Sequence, residues 1–548
     1  MEIQTMNKLE RKALKESGTD FIRLGMALFF MVAVLTFSFL SNGGISNNMF
    51  LAVAALIGAY MAMNIGANDV ANNVGPAVGS KALTMTTAII IAAIFEAAGA
   101  LIAGGEVVKT IKKGIIDISA FGGNADPFIW AMMAALLAAA LWLNFATMMK
   151  APVSTTHSIV GGVMGAGIAA AGFSIVDWGT MLKIAASWVI SPVLGGIIAA
   201  AFLYSIKKSI VFKEDKVAAA KKWVPVFVAI MAWAFVTYLT LKGLKKIWPS
   251  ILDLLNSLPL VAIEVTKKPT LMTALIMGFI VAIIVFISMT AKLKSNATMM
   301  ENTKASVNTL FTIPLIFSAA LLSFAHGAND VANAIGPLAA INDAVINGGI
   351  SSKAEIPLWV MGVGALGIAL GLALYGPKLI KTVGTEITEL DQMRAFSIAM
   401  AASITVIIAS QLGLPVSSTH IAIGGVFGVG FLREYLHLTS PQSTIEDDLK
   451  ILEDEKATFE AYTKELRTLE AKENKVEAEY ERIVELYKLR REENKLIKST
   501  KRHLKQTKKV EYVKRDAMKK IFAAWIITVP AAAILAGLLF FMIKGIMI

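Results

Sequence analysis

Long apolar segments separated by short charged loops run through most of the sequence. Each apolar segment holds roughly 20 residues, the length that an α-helix needs to cross the hydrocarbon core of a bilayer. The pattern predicts spans near 24–40, 49–65, 85–105, 128–149, 178–204, 223–243, 270–290, 309–325 and 521–548. We expect an all-α polytopic membrane protein, with these nine spans among about 10–12 transmembrane helices in total.

Two polar strings interrupt the apolar segments, and each string occurs twice. NIGANDVANNVGPAVGSKALT at 64–84 returns in its core as HGANDVANAIGPLAA at 326–340. APVSTTHSIVGGVMGAG at 151–167 returns as LPVSSTHIAIGGVFGVG at 414–430. The copies of the first string are offset by 261 residues (327 − 66) and those of the second by 263 (415 − 152), so both strings belong to one duplicated unit.

Glycine and proline in these strings predict broken or re-entrant helices. Polar side chains at membrane depth are expensive unless they face a partner or water. Secondary transporters use such broken helices to build a binding site between two halves. We interpret the four strings as the lining of a site of this kind.

Basic loops predict the orientation of the spans. Lysines cluster in the loop after residue 204 and again at 292–304, and the positive-inside rule assigns both loops to the cytoplasm. The first repeat then starts outside and the second starts inside, which predicts inverted topology. Three lysines at 242–246 are an exception, because they lie on the predicted outer side. Residues 1–23 are basic and no cleavage site follows the first span, so we expect a retained helix with the N-terminus inside.

The repeats and loops divide the chain into six segments. These are an N-terminal tail with an extra transmembrane helix (1–48), repeat 1 (49–205), a linker with two transmembrane helices (206–308), repeat 2 (309–441), a helical insert (442–520) and a final transmembrane helix that completes repeat 2 (521–548). The last assignment rests on the likeness of WVISP at 188–192 to WIITVP at 525–530. Their offset of 338 (530 − 192) exceeds 263 by about 75 residues, which fall in the insert.

The insert at 442–520 is highly charged and helix-favouring. Its apolar residues fall in two heptad columns, Leu452, Phe459, Leu466, Tyr480, Tyr487 and Tyr462, Leu469, Val476, Ile483. This spacing predicts a helical hairpin or a short coiled coil. Lysine and arginine dominate its second half, which predicts a cytoplasmic position. A regulatory module and a solvated spacer both remain open.

Composition excludes several classes of function. The chain of 548 residues is 56% hydrophobic with a mean hydropathy of +0.65, far more apolar than a soluble protein. It contains no cysteine, which excludes disulfides, thiolate metal sites and thiol redox chemistry. We expect no cofactor. The net charge of +12 lies mainly in loops and in the insert, so membrane topology explains it and nucleic acid is not expected as a partner. A homodimer is left open.

The GAND strings place hard oxygen ligands on one side of a helix. Residues three and four positions apart share a helical face, so Asn68, Asp69 and Asn72 converge if the segment is helical. The second copy supplies Asn329, Asp330 and Asn333. Carboxylate and amide oxygens suit alkali cations, and we expect Na⁺, or else H⁺, at each aspartate. Helix capping with glycine packing is the alternative, and duplication of the whole string argues against it.

The PVS strings place hydroxyl groups directly after a proline. The residues are Ser154, Thr155, Thr156, Ser417, Ser418 and Thr419. Proline is tolerated at the first helical position, so each string predicts a half-helix whose free N–H groups and hydroxyls face an anion. The alternative is that the hydroxyls bond back to the preceding turn of the same helix.

Three further side chains are candidates for function. His157 and His420 are two of only five histidines and close the PVS strings; they carry a proton or, as the simpler role, fix the half-helix as neutral groups. Glu96 lies inside an apolar span and has no counterpart in the second repeat. An intramembrane carboxylate is a functional candidate by default.

The doubled GANDVAN and PVS-x-TH strings resemble the inorganic phosphate transporter (PiT) family. The resemblance covers about 49–205, 309–433 and the last span. It implies symport of inorganic phosphate with Na⁺ or H⁺ at the interface of the repeats, in a cell membrane. It assigns the cations to the GAND residues, and phosphate to the PVS hydroxyls with Asn72 and Asn333. The insert lies late in this chain, unlike the central loop of eukaryotic members, so regulation known from those members does not carry over.

Other functions remain open beside this one. A sulfate symporter or a passive anion channel would use the same fold. An intramembrane hydrolase with Ser154 and His157 is a remote alternative, since catalysis needs only one copy and no G-x-S-x-G elbow is present. We expect phosphate over sulfate, because Asp69 and Asp330 offer acceptors for the proton that phosphate retains at neutral pH.

Overall fold

The computed structural model describes residues 2–43, 48–122, 124–149, 151, 153–245, 247–257, 266, 268–296, 300–347, 356–386, 389–439, 444–507 and 512–547. Nineteen α-helices form in these ranges. They are α1 (Glu2–Ser41), α2 (Asn48–Asn68), α3 (Val70–Gly79), α4 (Met85–Ala103), α5 (Gly105–Lys113), α6 (Ala125–Met148), α7 (Thr155–Ala171), α8 (Trp178–Ile206), α9 (Lys216–Tyr238), α10 (Trp248–Asn256), α11 (Leu271–Asn296), α12 (Lys304–Thr309), α13 (Thr312–Asn347), α14 (Leu358–Glu386), α15 (Gln392–Gln411), α16 (Ser418–Thr439), α17 (Thr444–Glu470), α18 (Glu477–Thr507) and α19 (Arg515–Met547).

Eleven helical segments of the described chain are long and apolar enough to cross a membrane. This number confirms the expected 10–12 spans. The two linker spans appear as α9 and α11, with the short helix α10 between them. Turns of π-helix extend α8 and α9, at Lys207–Val211 and Leu239–Gly243.

The PVS strings begin helices, as predicted, but serine rather than proline forms the cap. Ser154 and Ser417 stand before α7 and α16, and each hydroxyl oxygen accepts a hydrogen bond from the backbone N–H of the histidine three residues later, at 3.1 and 3.2 Å. Pro415 therefore precedes α16 by three positions, and Pro152 lies outside the described residues. An extended backbone allows this serine cap, which satisfies an N–H group that the helix leaves free.

The GAND strings do not break their helices as predicted. The second copy lies inside the continuous helix α13, and the first is interrupted only at Asp69, between α2 and α3. The glycines serve close packing instead. A Cβ atom on Gly66 would lie 1.9 Å from the carbonyl oxygen of Ile368, and one on Gly327 would lie 2.2 Å from that of Glu96. Only glycine lets these helices approach so closely.

The two halves make matching helix crossings. In one crossing α2 packs on α14, where a Cβ on Gly371 would meet the carbonyl oxygen of Met63 at 1.9 Å. In the other α13 packs on α4, where a Cβ on Gly99 would meet that of Phe324 at 2.0 Å. The opening helix of each repeat thus packs against a helix of the other repeat, which is consistent with the predicted duplication.

Residues 430–515 form a separate compact unit. Its helices α17 and α18 form a hairpin around the apolar side chains of Leu452, Ile497 and Leu504. The predicted heptad column holds for α17 but not for α18, where Tyr480 and Tyr487 are exposed. The chain reverses at 471–476, so a register counted along the sequence cannot continue across that turn.

An ion pair ties the two helices of the hairpin on their exposed side. The guanidinium of Arg482 donates hydrogen bonds to both carboxylate oxygens of Glu465, at 2.9 and 3.2 Å. These bonds hold the pKa of Glu465 below its ordinary value. Residues 442, 443 and 508–511 of the predicted insert lie outside the described ranges.

Candidate functional site

Asp69 receives hydroxyl groups from both PVS strings. The Thr155 hydroxyl donates to Oδ2 of Asp69 at 2.5 Å, and the Thr419 hydroxyl donates to Oδ1 at 3.0 Å. All three side chains are buried, with at most 1% exposure. The carboxylate therefore joins the starts of the two half-helices α7 and α16, one from each repeat.

Asp330 has a different set of neighbours. Its Oδ2 accepts a hydrogen bond from the Ser418 hydroxyl at 2.8 Å and lies 2.9 Å from Nε2 of His326. Its Oδ1 is buried and has no hydrogen-bond partner within the described residues. A buried carboxylate oxygen without a donor is suited to accept a cation.

Two asparagines reach across between the repeats. Asn72 donates from its amide to the Thr419 hydroxyl at 2.9 Å. Asn333 donates to the hydroxyls of Thr155 and Thr156 at 3.0 and 3.1 Å. Asn72 and Asn333 thus each bond to the PVS string of the other repeat, and the four strings meet in one buried place.

Ser154 and Ser417 cap their own helices, but the other four PVS hydroxyls do not bond back along the helix. Thr155 and Thr419 bond to Asp69, Ser418 bonds to Asp330, and the Thr156 hydroxyl donates to the carbonyl oxygen of Val416 at 2.9 Å. The hydroxyls thus lie at the meeting point of the repeats, as the anion-site prediction requires. The alternative of local back-bonding does not apply to these four residues.

Asn68 and Asn329 hold the segments that precede the half-helices. Asn68 donates to the Thr147 hydroxyl at 2.9 Å and accepts from the backbone N–H of Val153 at 3.2 Å. Asn329 makes the corresponding bond to the Ser410 hydroxyl at 2.9 Å. Because these amides already have structural partners, a role for them as cation ligands stays a prediction.

His326 is the site residue that the sequence prediction missed. Its Nδ1 lies 2.7 Å from Oε2 of Glu96, while its Nε2 faces Asp330. Glu96 also accepts from the Asn73 amide at 2.8 Å, so it is not isolated as its sequence position indicated. One available signal was that the string reads HGAND in the second copy and IGAND in the first. Ligand atoms of Asp69, His326 and Asp330 all lie within 4.8 Å of one another.

The two PVS histidines lie in an aromatic group. The rings of His157 and His420 meet edge to face with centroids 4.4 Å apart. His420 stacks on Trp525 at 3.6 Å, and His157 lies 3.8 Å from Trp188. The sequence aligns Trp188 with Trp525, because similar residues follow each of them. In the structure each tryptophan contacts one of the two histidines. A proton-carrying role for the histidines stays a prediction.

The site brings three carboxyl groups together without a buried lysine or arginine among its described residues. Asp69, Glu96 and Asp330 are buried together around one histidine. Among the described lysines and arginines only Arg433 is buried, and it belongs to the unit 430–515. An anion added here would need cations, because buried like charges repel strongly in a medium of low dielectric constant.

A cavity of about 530 Å³ lies beside the first GAND string. Its lining includes Met63, Ala67 and Thr147, and Thr147 is the hydroxyl partner of Asn68. Arg23 and Lys378 also line it. The cavity therefore reaches to within one side chain of the buried site.

The matching place in the second repeat is filled. Phe324 and Ala328, which stand 261 positions after Met63 and Ala67, pack in one apolar cluster with the buried side chain of Tyr238 from α9. The Tyr238 ring contacts that of Phe324 edge to face at 6.1 Å between centroids. The two repeats thus differ: a cavity lies beside the first GAND string, whereas the buried Tyr238 ring packs against the matching residues of the second.

Comparisons with known proteins agree on one family. The model of the "Phosphate transporter family" matches residues 65–536. A protein of Helicobacter pylori strain J99, named "Putative phosphate permease", is 49% identical over 550 residues and covers 98% of each chain. A relative of the same name from Thermococcus kodakarensis is 39% identical over 385 residues, which are 70% of this chain and 89% of the relative.

One solved structure is similar along nearly the whole chain. It is titled "The sodium-dependent phosphate transporter" and has a TM-score of 0.69 and 29% sequence identity. The match covers 91% of this chain and 99% of that structure.

Proposed function

This chain belongs to the phosphate transporter family, and on that premise we propose that it imports inorganic phosphate by symport with Na⁺ through alternating access between its two repeats. The observation that carries the proposal is the reciprocal bonding of Asn72 to Thr419 and of Asn333 to Thr155. A site built equally from both repeats must change when one repeat moves against the other.

Phosphate is proposed to bind where the half-helices begin. The hydroxyls of Thr155, Thr156, Ser418 and Thr419 supply donors there, together with the amides of Asn72 and Asn333. The N-terminal ends of α7 and α16 add the positive ends of two helix dipoles. Most of these donors bond to the two aspartates and to each other in the structure, so phosphate binding would exchange one set of hydrogen bonds for another.

Sodium ions are proposed to balance the charge at Asp69 and Asp330. The site lacks a buried lysine or arginine within its described residues, and its oxygen atoms are ligands that alkali cations accept. The similar solved structure is titled sodium-dependent, which favours Na⁺ over H⁺. Coupling then follows from charge: a phosphate dianion enters this carboxylate-rich place only with cations.

The proposed access route begins at the cavity beside Asn68. Lys378 in its lining would attract an anion, whereas Arg23 is already paired with Asp20 at 3.0 Å. The polar residues of the lining lead toward Thr147. The route on the Asn329 side is closed by Tyr238. If the repeats are inverted, as the loop charges predict, these two routes lead to opposite membrane faces.

The proposal is tested by phosphate uptake into proteoliposomes of the purified protein. An inward Na⁺ gradient should drive accumulation of labelled phosphate above equilibrium, while a K⁺ gradient of the same size should not. Accumulation driven by a pH gradient alone would show that H⁺, and not Na⁺, is the coupling ion. Equilibration without accumulation under either gradient would mean a channel. The family is one of transporters and not of enzymes, so the hydrolase alternative is set aside.

A further inference from the structure

We propose that Glu96 and His326 form a positioning pair, present in one repeat only, that makes Asp330 a cation ligand of a different kind from Asp69. The inference rests on the proposed function, because it concerns the sodium ions of that same site. Its basis is a buried chain of three side chains. Glu96 Oε2 lies 2.7 Å from His326 Nδ1, and His326 Nε2 lies 2.9 Å from Asp330 Oδ2.

The equivalent places in the other half are apolar. Ile65 precedes its GAND string as His326 precedes the second. Gly66 packs against the carbonyl oxygen of Ile368 as Gly327 packs against that of Glu96. Ile65 and Ile368 are therefore the counterparts of His326 and Glu96. The duplicated fold holds two isoleucines in one half and a carboxylate with an imidazole in the other.

Packing alone does not account for the polar pair. All four side chains are fully buried, with 0% exposure. Two isoleucines fill such a place at no electrostatic cost, whereas a buried carboxylate and imidazole must be taken out of water. The same helix crossing forms with either pair, so the polar pair has a role beyond holding the crossing together.

That role is visible in the oxygens of the two aspartates. Both oxygens of Asp69 accept threonine hydroxyls. At Asp330 the imidazole of His326 and the Ser418 hydroxyl both meet Oδ2, and Oδ1 is left without a hydrogen-bond partner among the described residues. The Nε2 atom of His326 makes no hydrogen bond to a described residue in this geometry, so the ring restricts the Asp330 carboxylate by close contact at Oδ2 while Oδ1 stays open. Glu96 in turn fixes the ring, as outer partners commonly do for metal-ligating side chains.

The consequence is that the two cation sites are unequal. A Na⁺ at Asp330 meets an oriented, open oxygen, so little rearrangement is needed for binding. A Na⁺ at Asp69 must share oxygens with Thr155 and Thr419, whose hydroxyls are also proposed phosphate donors. We expect the Asp330 site to fill first and the Asp69 site to fill together with phosphate.

The test replaces the polar pair by the apolar pair of the other half. In the double variant Glu96→Ile/His326→Ile the Na⁺ concentration for half-maximal phosphate uptake should rise by about tenfold, the usual effect of losing an outer partner of a metal ligand. The phosphate concentration for half-maximal uptake at saturating Na⁺ should stay within about twofold. Ile65→Val/Ile368→Val is the matched control and should leave both values unchanged.

A binding measurement separates this inference from the proposed function. Purified wild-type protein should be stabilised against heating by Na⁺ without phosphate, and the double variant should need about tenfold more Na⁺ for the same shift. If the wild-type protein binds Na⁺ but shows no sodium-driven uptake, the proposed symport is refuted. The proposed role of Glu96 and His326 in Na⁺ binding would not be affected by that result. A double variant with wild-type Na⁺ dependence in both measurements would overturn the pair.

A variant that fails to insert is replaced by a milder one. Glu96→Gln/His326→Leu keeps an acceptor for the Asn73 amide at position 96 and removes the imidazole that faces Asp330. Insertion is checked by gel filtration in detergent before any assay. If this variant also keeps the wild-type Na⁺ dependence, the pair does not position Asp330.

Discussion

The side-chain amide of Asn333 lies 3.0 Å from the hydroxyl oxygen of Thr155, although 178 residues separate them in the sequence. The bond joins a GAND string of one repeat to a PVS string of the other. Asn72 and Thr419 make the reciprocal bond at 2.9 Å. The buried site is therefore shared by the two repeats.

Removal of the cross-repeat donors should weaken phosphate binding. Thr155→Val and Asn333→Ala each delete a donor while the rest of the site remains, and we expect the phosphate concentration for half-maximal uptake to rise about tenfold, on the order of one lost hydrogen bond to a charged ligand. Thr155→Ser keeps the hydroxyl and should stay close to wild type. Equal values for the valine and serine variants would remove Thr155 from the phosphate site.

Neutralising either GAND aspartate should weaken Na⁺ dependence. Asp69→Asn and Asp330→Asn retain the shape of the side chain but remove the charge that a cation compensates. We expect a higher Na⁺ requirement for uptake in both variants, measured with phosphate held at saturation. Unaltered sodium activation in both would show that these carboxylates hold no coupling ion.

Tyr238 should control access on the Asn329 side. The chain has no cysteine, so Thr147→Cys and Ser410→Cys each introduce a single thiol for labelling. In the conformation described here a water-soluble thiol reagent should label position 147, next to the cavity, and not position 410. Adding Tyr238→Ala to the Ser410→Cys variant should make position 410 reactive.

The labelling has its own control and its own point of failure. Tyr238→Phe fills the same space and should keep position 410 protected. If position 410 reacts equally with tyrosine, phenylalanine and alanine at 238, the side chain of Tyr238 does not close that route.

Deletion of the hairpin should leave transport intact. The ends of the insert lie close together, because Glu434 accepts hydrogen bonds from the backbone N–H groups of Tyr512 and Val513 at 3.0 and 3.2 Å. A short Gly/Ser linker in place of 444–507 can therefore join α16 to α19. We expect sodium-driven uptake within about twofold of wild type, since the site lies outside this unit. Loss of membrane insertion after the deletion would give the hairpin a structural role.

Phosphate should be preferred to sulfate. Phosphate keeps a proton at neutral pH and sulfate does not, and the site holds carboxylate oxygens of Asp69 and Asp330 that can accept this proton in a hydrogen bond. Excess unlabelled phosphate or arsenate should therefore suppress uptake far more than sulfate at the same concentration. Equal competition by sulfate would leave the family assignment in place and remove the substrate assignment.

Much of the molecule was predicted from sequence patterns. The length of an apolar segment and the duplication of a polar string both reflect physical requirements that act locally along the chain. About 20 consecutive apolar residues have the length of a membrane span, and a duplicated Asp in an apolar setting is expected to face a partner. The spans near 85–105 and 128–149 were found this way, and so were the half-helices of the PVS strings, although α7 and α16 begin three positions after the prolines that were expected to start them. The structure also brings the GAND aspartates together with the PVS hydroxyls, and the roles of these residues stay predictions.

Other features depend on contacts between segments far apart in the chain. The sequence predicted breaks at the GAND glycines, yet α13 is continuous, because Gly327 serves a crossing with α4 that no local pattern reveals. His326 was missed and Glu96 was read as solitary, since 230 residues separate these partners. The exchange of a polar pair for Ile65 and Ile368 is visible only once the crossings are superimposed. Local propensity and hydropathy act along the chain, whereas the pairing of buried groups is decided by which helices pack together.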